Sequence, residues 1–361
     1  MSIVELARPE IVAMKPYSSA RKEAPAEGVL LNANESPWSL FGPADQATSH
    51  LNRYPEPQPN QLIDSLAQLY GLPQDHLLVT RGSDEGIDLL TRVFCRAGKD
   101  AIVHCPPTFG MYRIAAEIQD ASVVSIPRDD DFAIDEQSVF EALKKNDHIR
   151  LIFLTSPNNP TGDLIDTDFL NALLKETTNK AIVVIDEAYA EFCEQESAID
   201  LISDNPHLVV LRTLSKAWAA AGLRCGTVLA QPELIDLLLR VIAPYPLAEP
   251  VTRLAERVMQ ADMLLRHKEL LAELKANKSL LLSILKDRQF IEKIWPGEAN
   301  FVLLRVEDAP ALLNHCAQNS IILRGYPNDP SLQGCIRISV GSKQDIASLD
   351  QALNRWEANK P

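Results

Sequence analysis

From Leu77 onward, short runs rich in Val, Ile and Leu alternate with amphipathic segments, and this alternation restricts the fold of the 361-residue chain more than any other feature. LLVT (77–80) is followed by DEGIDLLTRVF, AIVHC (101–105) by TFGMYRIAAEI, and LIFLT (151–155) by TDFLNALLKET. A strand that is apolar at every position must be buried on both faces. Helical connections between such strands supply that cover, so the pattern predicts an α/β fold built on a mostly parallel sheet between helices. AIVVID (181–186), LVVLRT (208–213) and CGTVLA (225–230) extend the same sheet.

The flanks read differently. Pro37, Pro43, Pro55, Pro57 and Pro59 interrupt any long element near the N-terminus, so residues 1–50 are expected to form an arm contributing to a smaller domain. Residues 51–250 then form the large α/β domain. Leu and Ala recur at helical spacing from about Thr252 to Asp287, which predicts one long connecting helix over 251–288. The tail reads as strand (FVLLRV), helix (APALLNHCAQ), strand (IILR), strand (CIRISVG) and a last helix from Lys343, giving a small α+β domain over 289–361.

Charge and composition exclude several classes of function. A formal charge of −14 repels phosphate backbones, so nucleic acid is not an expected partner. The six cysteines form no CxxC pair and fall mostly in apolar stretches, as reduced structural thiols do, and the seven histidines show no metal-ligand spacing. Glu5 precedes any apolar run, and no stretch approaches the roughly 18 to 20 apolar residues needed to cross a bilayer. The expected location is the cytoplasm, with no membrane partner and no metal.

In an open parallel sheet, ligands bind beyond the carboxyl ends of the strands. After LLVT and Arg81 comes Gly82-Ser83-Asp84-Glu85-Gly86, either a phosphate-holding helix N-terminus or a plain helix cap. After LIFLT comes SPNNPTG (156–162), a rigid turn in which Asn159 offers both donor and acceptor groups. Asp186 ends the next strand, with Tyr189 three residues on. A buried carboxylate needs a partner, which a protonated pyridine nitrogen would supply; a helix cap or surface carboxylate is the alternative. After LVVLRT comes Lys216 among small and apolar neighbours, where lost solvation lowers its pKa towards the neutral amine that forms Schiff bases. Ser215 and Arg224 bracket it as candidate phosphate ligands.

These residues in this order resemble the fold-type I, class II pyridoxal-5'-phosphate-dependent aminotransferases over nearly the whole chain, most closely the branch acting on histidinol phosphate. The strings that carry the likeness are LNANE (31–35), RYPEPQP (53–59), RGSDEGIDLL (81–90), CPPTFGMY (105–112), SPNNPTG, DEAYAEF (186–192), RTLSKAWAAAGLRCG (212–226), APYPL (243–247) and IRISVG. The resemblance implies that Lys216 carries pyridoxal 5'-phosphate as a Schiff base, Asp186 pairs with the ring nitrogen, and Asn159 and Tyr189 contact the ring oxygen. It places Tyr112 against the ring, and the backbone around Ser83, Asp84 and Glu85 with Ser215 and Arg224 around the phosphate. Tyr54 resembles the tyrosine donated to the partner's cofactor phosphate, implying a homodimer. Arg337 and Arg324 are the implied grip for substrate anions, and Tyr17 the residue closing over the imidazole end. Phe109 and Trp218 depart from the commoner family pattern, each keeping an aromatic.

The reaction so implied moves an amino group between glutamate and imidazole-acetol phosphate, giving 2-oxoglutarate and histidinol phosphate, with Lys216 moving the proton at the substrate Cα. An aromatic aminotransferase and a phosphoamino-acid decarboxylase are rivals on the same fold. A noncatalytic regulator would need an added DNA-binding segment and a basic face, which the N-terminal arm does not provide.

Overall fold

The computed structural model describes residues 3–17, 29, 31–41 and 51–358. Seven strands form one sheet: β1 (Leu77–Thr80), β2 (Ala101–His104), β3 (Ser122–Ser125), β4 (Ile149–Thr155), β5 (Ile182–Asp186), β6 (Leu208–Thr213) and β7 (Gly226–Leu229). Their order is β1-β7-β6-β5-β4-β2-β3. β3, β2, β4, β5 and β6 pair parallel, whereas β7 runs antiparallel to both β6 and β1.

Alternation along each strand divides the core in two. Val79, Val103, Ile152, Val183 and Val210 face one layer, with Leu62 and Leu66 of the helix Asn60–Tyr70 and Leu173 of the helix Thr167–Thr177. Leu78, Ile102, Phe153, Val184 and Leu211 face the other, against the helices Ser83–Phe94, Met111–Ile118 and Pro232–Leu239. Both faces being covered explains why the strands are apolar throughout. Each fully buried Val, Leu or Ile contributes roughly 1.5–3 kcal/mol relative to an exposed one.

The C-terminal sheet has the order β10-β11-β9-β8. It contains β8 (Ile291–Trp295), β9 (Phe301–Val306), β10 (Arg324–Gly325) and β11 (Cys335–Ser339), all antiparallel. One face packs Val302, Leu304, Ile336 and Ile338 against the helices Ala309–Gln318 and Lys343–Ala358. The other turns towards the large sheet, where Trp295 meets Phe132 at 4.9 Å between ring centroids.

Three local expectations need correction. The single helix expected from Thr252 to Asp287 is two helices, Glu249–Val258 and Ala261–Leu285, because Gln260 is extended (φ −76°, ψ 152°). Neither Gly nor Pro marks the break; Arg257 spans it by bonding Gln260 and Asp262. The strand expected at IILR shrinks to Arg324–Gly325, and an edge strand not expected from the sequence, β8, runs through IEKIW, where a register shift between Ile291 and Lys293 breaks the alternation of apolar and polar residues. All six cysteines are free, and only Cys193 is not fully buried.

Candidate active site

Sheet topology brings the polar segments together. Thr80 at the end of β1 and Thr213 at the end of β6 both lie opposite Gly226, the first residue of the reversed strand β7. The segments carrying Ser83, Ser215–Lys216 and Arg224 therefore emerge side by side. On the other flank, Thr155 at the end of β4 pairs with Asp186 at the end of β5. A cavity of about 150 Å³ opens between them, bounded by Ser83, Asp84, Ser215 and Arg224 at one end and Asp186, Tyr189 and Asn159 at the other, with Lys216 between.

The first end is an anion cradle. Gly82 has φ 76°, and a Cβ there would lie 2.7 Å from Arg224 Nη2. Across from it, a Cβ on Gly226 would fall 2.7 Å from the Ser83 nitrogen. These glycines let the start of the helix Ser83–Phe94 approach the guanidinium, placing free N–H groups beside a fixed cation. Arg224 Nη1 donates to Ser215 Oγ at 3.2 Å and to the Ala221 carbonyl at 3.0 Å, and Nη2 donates to Asp84 Oδ2 at 3.2 Å. The Glu85 side chain turns away to bond the Arg81 backbone N–H (2.7 Å) and guanidinium (2.6 Å), leaving only its main chain for a ligand.

The second end is a buried acid. Asp186, 3% exposed, accepts hydrogen bonds from the Tyr112 hydroxyl at 2.8 Å and the Ala188 N–H at 3.1 Å. Burial pushes its pKa up to about 6, and among the described residues no Lys or Arg forms an ion pair with it. Lys216 Nζ stands 5.5 Å from the centre of the Tyr189 ring. Its pKa is lowered by lost solvation first and by the Arg337 charge second. Burial drives Tyr189 up to about 12, so its hydroxyl keeps its proton.

The aromatic that lines the cavity is Phe109, not Tyr112, which the resemblance places against the ring. Tyr112 is fully buried and stacks on Phe153 with ring centroids 4.9 Å apart, while Phe109 lines the cavity. Trp218 is structural: its indole N–H donates to Glu191 at 3.0 Å, and its ring stacks on His267 at 3.9 Å. Glu191 also accepts from buried Arg212 at 2.8 Å, so the segment after Lys216 is tied to β6. Thr155 and Thr213 line the cavity too and were missed, since a strand-end threonine carries no motif.

Arg337 does not line the cavity but bonds a residue that does: its Nη1 donates to Asn159 Oδ1 at 2.5 Å, and its buried Nε has no hydrogen-bond partner among the described residues. Arg324 lies opposite Arg337 in the β10–β11 pairing, so both side chains leave one face of the small sheet. Arg324 is exposed, 5.7 Å from the Tyr326 ring centre, and does not line the cavity. Tyr17 is 65% exposed, also outside the cavity, and the rest of its PYSSAR segment from Ser18 lies beyond the described residues. Tyr54 stacks on Tyr245 at 4.7 Å and lines a separate groove with Glu56 and Arg253.

The donor set fits pyridoxal phosphate: a phosphate cradle too tight for a Cβ at Gly82 or Gly226, a buried carboxylate lacking a cation, and a lysine between them. The model of the family "Aminotransferase class I and II" matches residues 17–355. Histidinol-phosphate aminotransferase of Cronobacter sakazakii is 43% identical over 353 residues, covering 98% of this chain and 97% of that one. The enzyme of the same name from Escherichia coli K12 is 42% identical, covering 98% of each. Among solved structures, the histidinol-phosphate aminotransferase from Clostridium acetobutylicum superposes with a TM-score of 0.79 at 23% identity, covering 88% of this chain and 94% of that one. The one from Sinorhizobium meliloti in complex with pyridoxal-5'-phosphate gives 0.78 at 23%, covering 90% and 89%. At that identity the structures establish the fold, α/β of fold type I. The match to the family model and the identity to the curated relatives establish more: the chain belongs to the class I and II aminotransferases.

Proposed function

We propose that the chain uses pyridoxal 5'-phosphate to transfer an amino group between glutamate and imidazole-acetol phosphate, forming histidinol phosphate and 2-oxoglutarate in histidine biosynthesis. The observation that carries this is the cavity itself: Lys216 stands between the Arg224 cradle and buried Asp186, with Arg337 bonded to Asn159 of its wall. The 42–43% identity to curated relatives across 98% of the chain supports the substrate assignment.

When bound, the cofactor supplies an electron-withdrawing ring that takes up the charge left when the substrate Cα loses its proton. The chain's residues do the rest. The backbone N–H groups of Ser83, Asp84 and Glu85, the Ser215 hydroxyl and the Arg224 fork hold the phosphate. Asp84 must give up Arg224 to do so. Asp186 holds a proton on the ring nitrogen as an ion pair, which relieves the cost of burying its charge. Asn159 and Tyr189 donate to the ring oxygen, and Phe109, backed by Tyr112, walls the cavity. Lost solvation and the Arg337 charge bias Lys216 towards the neutral amine that takes the proton from the substrate Cα. Arg337 grips the anion that each substrate presents, the carboxylate of glutamate or the phosphate monoester of the acceptor, while Arg324, on the same face of the sheet, adds a second cation for the phosphate and Tyr17 reaches for the imidazole.

We read the chain as an arm (1–50), a large domain (51–250), connecting helices (251–288) and a small domain (289–361). It acts as a homodimer in which Tyr54, outside its own Lys216 cavity, serves the partner's cofactor phosphate. Among the described residues no helix is long and apolar enough to cross a membrane, in keeping with a cytoplasmic enzyme.

Product analysis with competing acceptors tests the reading. Glutamate-dependent formation of histidinol phosphate, preferred over amination of phenylpyruvate and without release of CO2, is expected. Preference for phenylpyruvate identifies an aromatic aminotransferase, and CO2 release from a phosphoamino acid identifies a decarboxylase.

A further inference from the structure

The mouth of the site joins two sheets, and one backbone contact governs how closely they approach. Gly162 closes the turn that carries Asn159, with φ 80°, and Gly297 lies between β8 and β9, with φ 53°. A Cβ on Gly297 would fall 2.6 Å from Gly162 Cα, and one on Gly162 would fall 2.8 Å from Gly297 Cα. In both directions the obstacle is backbone, which cannot swing aside as a long side chain could.

The contact is anchored from both sides. The Glu298 N–H donates to the Gly162 carbonyl at 2.7 Å. From the helix Ala261–Leu285, Lys278 Nζ donates to the carbonyls of Gly297 at 2.6 Å and Ala299 at 2.8 Å. β9 follows this turn directly, and its Leu303 pairs with Arg337 on β11. Arg337 in turn bonds Asn159, three residues before Gly162. The glycine contact and the Arg337–Asn159 bond thus connect the same two turns and strands.

We infer that Gly162 and Gly297 are positioning residues whose close approach sets the reach of Arg337 into the site, and with it the affinity for the substrate's carboxylate. Neither glycine lines the cofactor cavity. The inference rests on the reading of Arg337 as the carboxylate grip.

The test uses cofactor-loaded enzyme and glutarate, an unreactive dicarboxylate, measured by calorimetry, alongside cofactor affinity from titration of the cofactor-free protein. Gly297→Ala forces the turns apart. Lys278→Met releases the turn from its helix without adding a Cβ, and covers the case in which Gly297→Ala does not fold. Gly71→Ala is the control for backbone strain alone, since Gly71 has φ 68° and an added Cβ there meets nothing within 4 Å. The expected result is a glutarate dissociation constant raised about tenfold or more in Gly297→Ala and several-fold in Lys278→Met, with cofactor affinity within about twofold of wild type, because small displacements of an anchoring group cost binding steeply. Gly71→Ala changes neither constant. Wild-type glutarate affinity in both test variants, or equal loss of cofactor and glutarate affinity, overturns the inference. A wild type that binds no glutarate overturns the reading of Arg337, and the inference with it.

Discussion

The Tyr112 hydroxyl donates to the Asp186 carboxylate at 2.8 Å from beneath the cavity floor, and the same hydroxyl lies 2.7 Å from Thr155 Oγ1. The acid is held by neutral donors and lacks a cation, so the cofactor-free protein carries an unrelieved desolvation cost.

That cost has a sign and a pH window. Asp186 has a folded pKa raised to about 6 from 3.8, so below about pH 4 it is neutral in folded and unfolded chains alike. As pH rises from about 4 to about 6 the folded state loses stability, by roughly 3 kcal/mol in all once the pH is above 6. Asp186→Asn keeps an acceptor for Tyr112 and removes the charge. Thermal unfolding of the cofactor-free variant should show it more stable than wild type at pH 7–8 and equal to it near pH 4, while its cofactor affinity falls. Equal melting temperatures at pH 8 would contradict the account.

Arg224→Lys keeps the charge but loses the fork whose Nη1 holds Ser215 and the Ala221 carbonyl while Nη2 reaches Asp84. We expect cofactor affinity to fall by about 1–3 kcal/mol, read by titration of the cofactor-free protein. Gly82→Ala should do the same by pushing a Cβ into the guanidinium. Unchanged affinity in both variants would remove the phosphate from this cradle.

Arg337 and Arg324 should separate kinetically. Arg337→Ala is expected to raise KM for glutamate and for the phosphorylated acceptor alike. Arg324→Ala is expected to raise KM for the acceptor about tenfold or more while sparing glutamate, since only the acceptor's phosphate needs the second cation. Equal effects of Arg324→Ala on both substrates would contradict this division.

Tyr54→Ala and Lys216→Ala damage different halves of a shared site if Tyr54 serves the partner. Mixing the two inactive proteins after subunit exchange should restore activity, because each hybrid dimer then holds one intact site. No recovery in a mixture shown to contain hybrids would place Tyr54 outside the partner's site.

Much of this was legible in the sequence because strand-end chemistry is local. Asp186, Lys216 and Arg224 each adjoin an apolar run, and the alternation of those runs dictates a doubly covered sheet whose ends converge. The reversed strand β7 was not legible, since GTVL is as apolar as its parallel neighbours; yet it is β7 that brings Arg224 back beside Ser83. The break at Gln260 carries no Gly, Pro or capping residue, so helical periodicity runs through it unmarked. Tyr112 and Phe109 are three residues apart and both aromatic, and only the packing on Phe153 decides which one is buried. The convergence of Arg324 and Arg337 depends on the register of a two-residue strand, which no local pattern encodes.

The most direct measurement pairs wild type with Lys216→Ala, both loaded with pyridoxal phosphate, and follows 2-oxoglutarate released as glutamate aminates imidazole-acetol phosphate. The account expects turnover by wild type and none by the variant, which should still bind cofactor through the Arg224 cradle. Transamination surviving in Lys216→Ala at a comparable rate, or absent from loaded wild type, would contradict it.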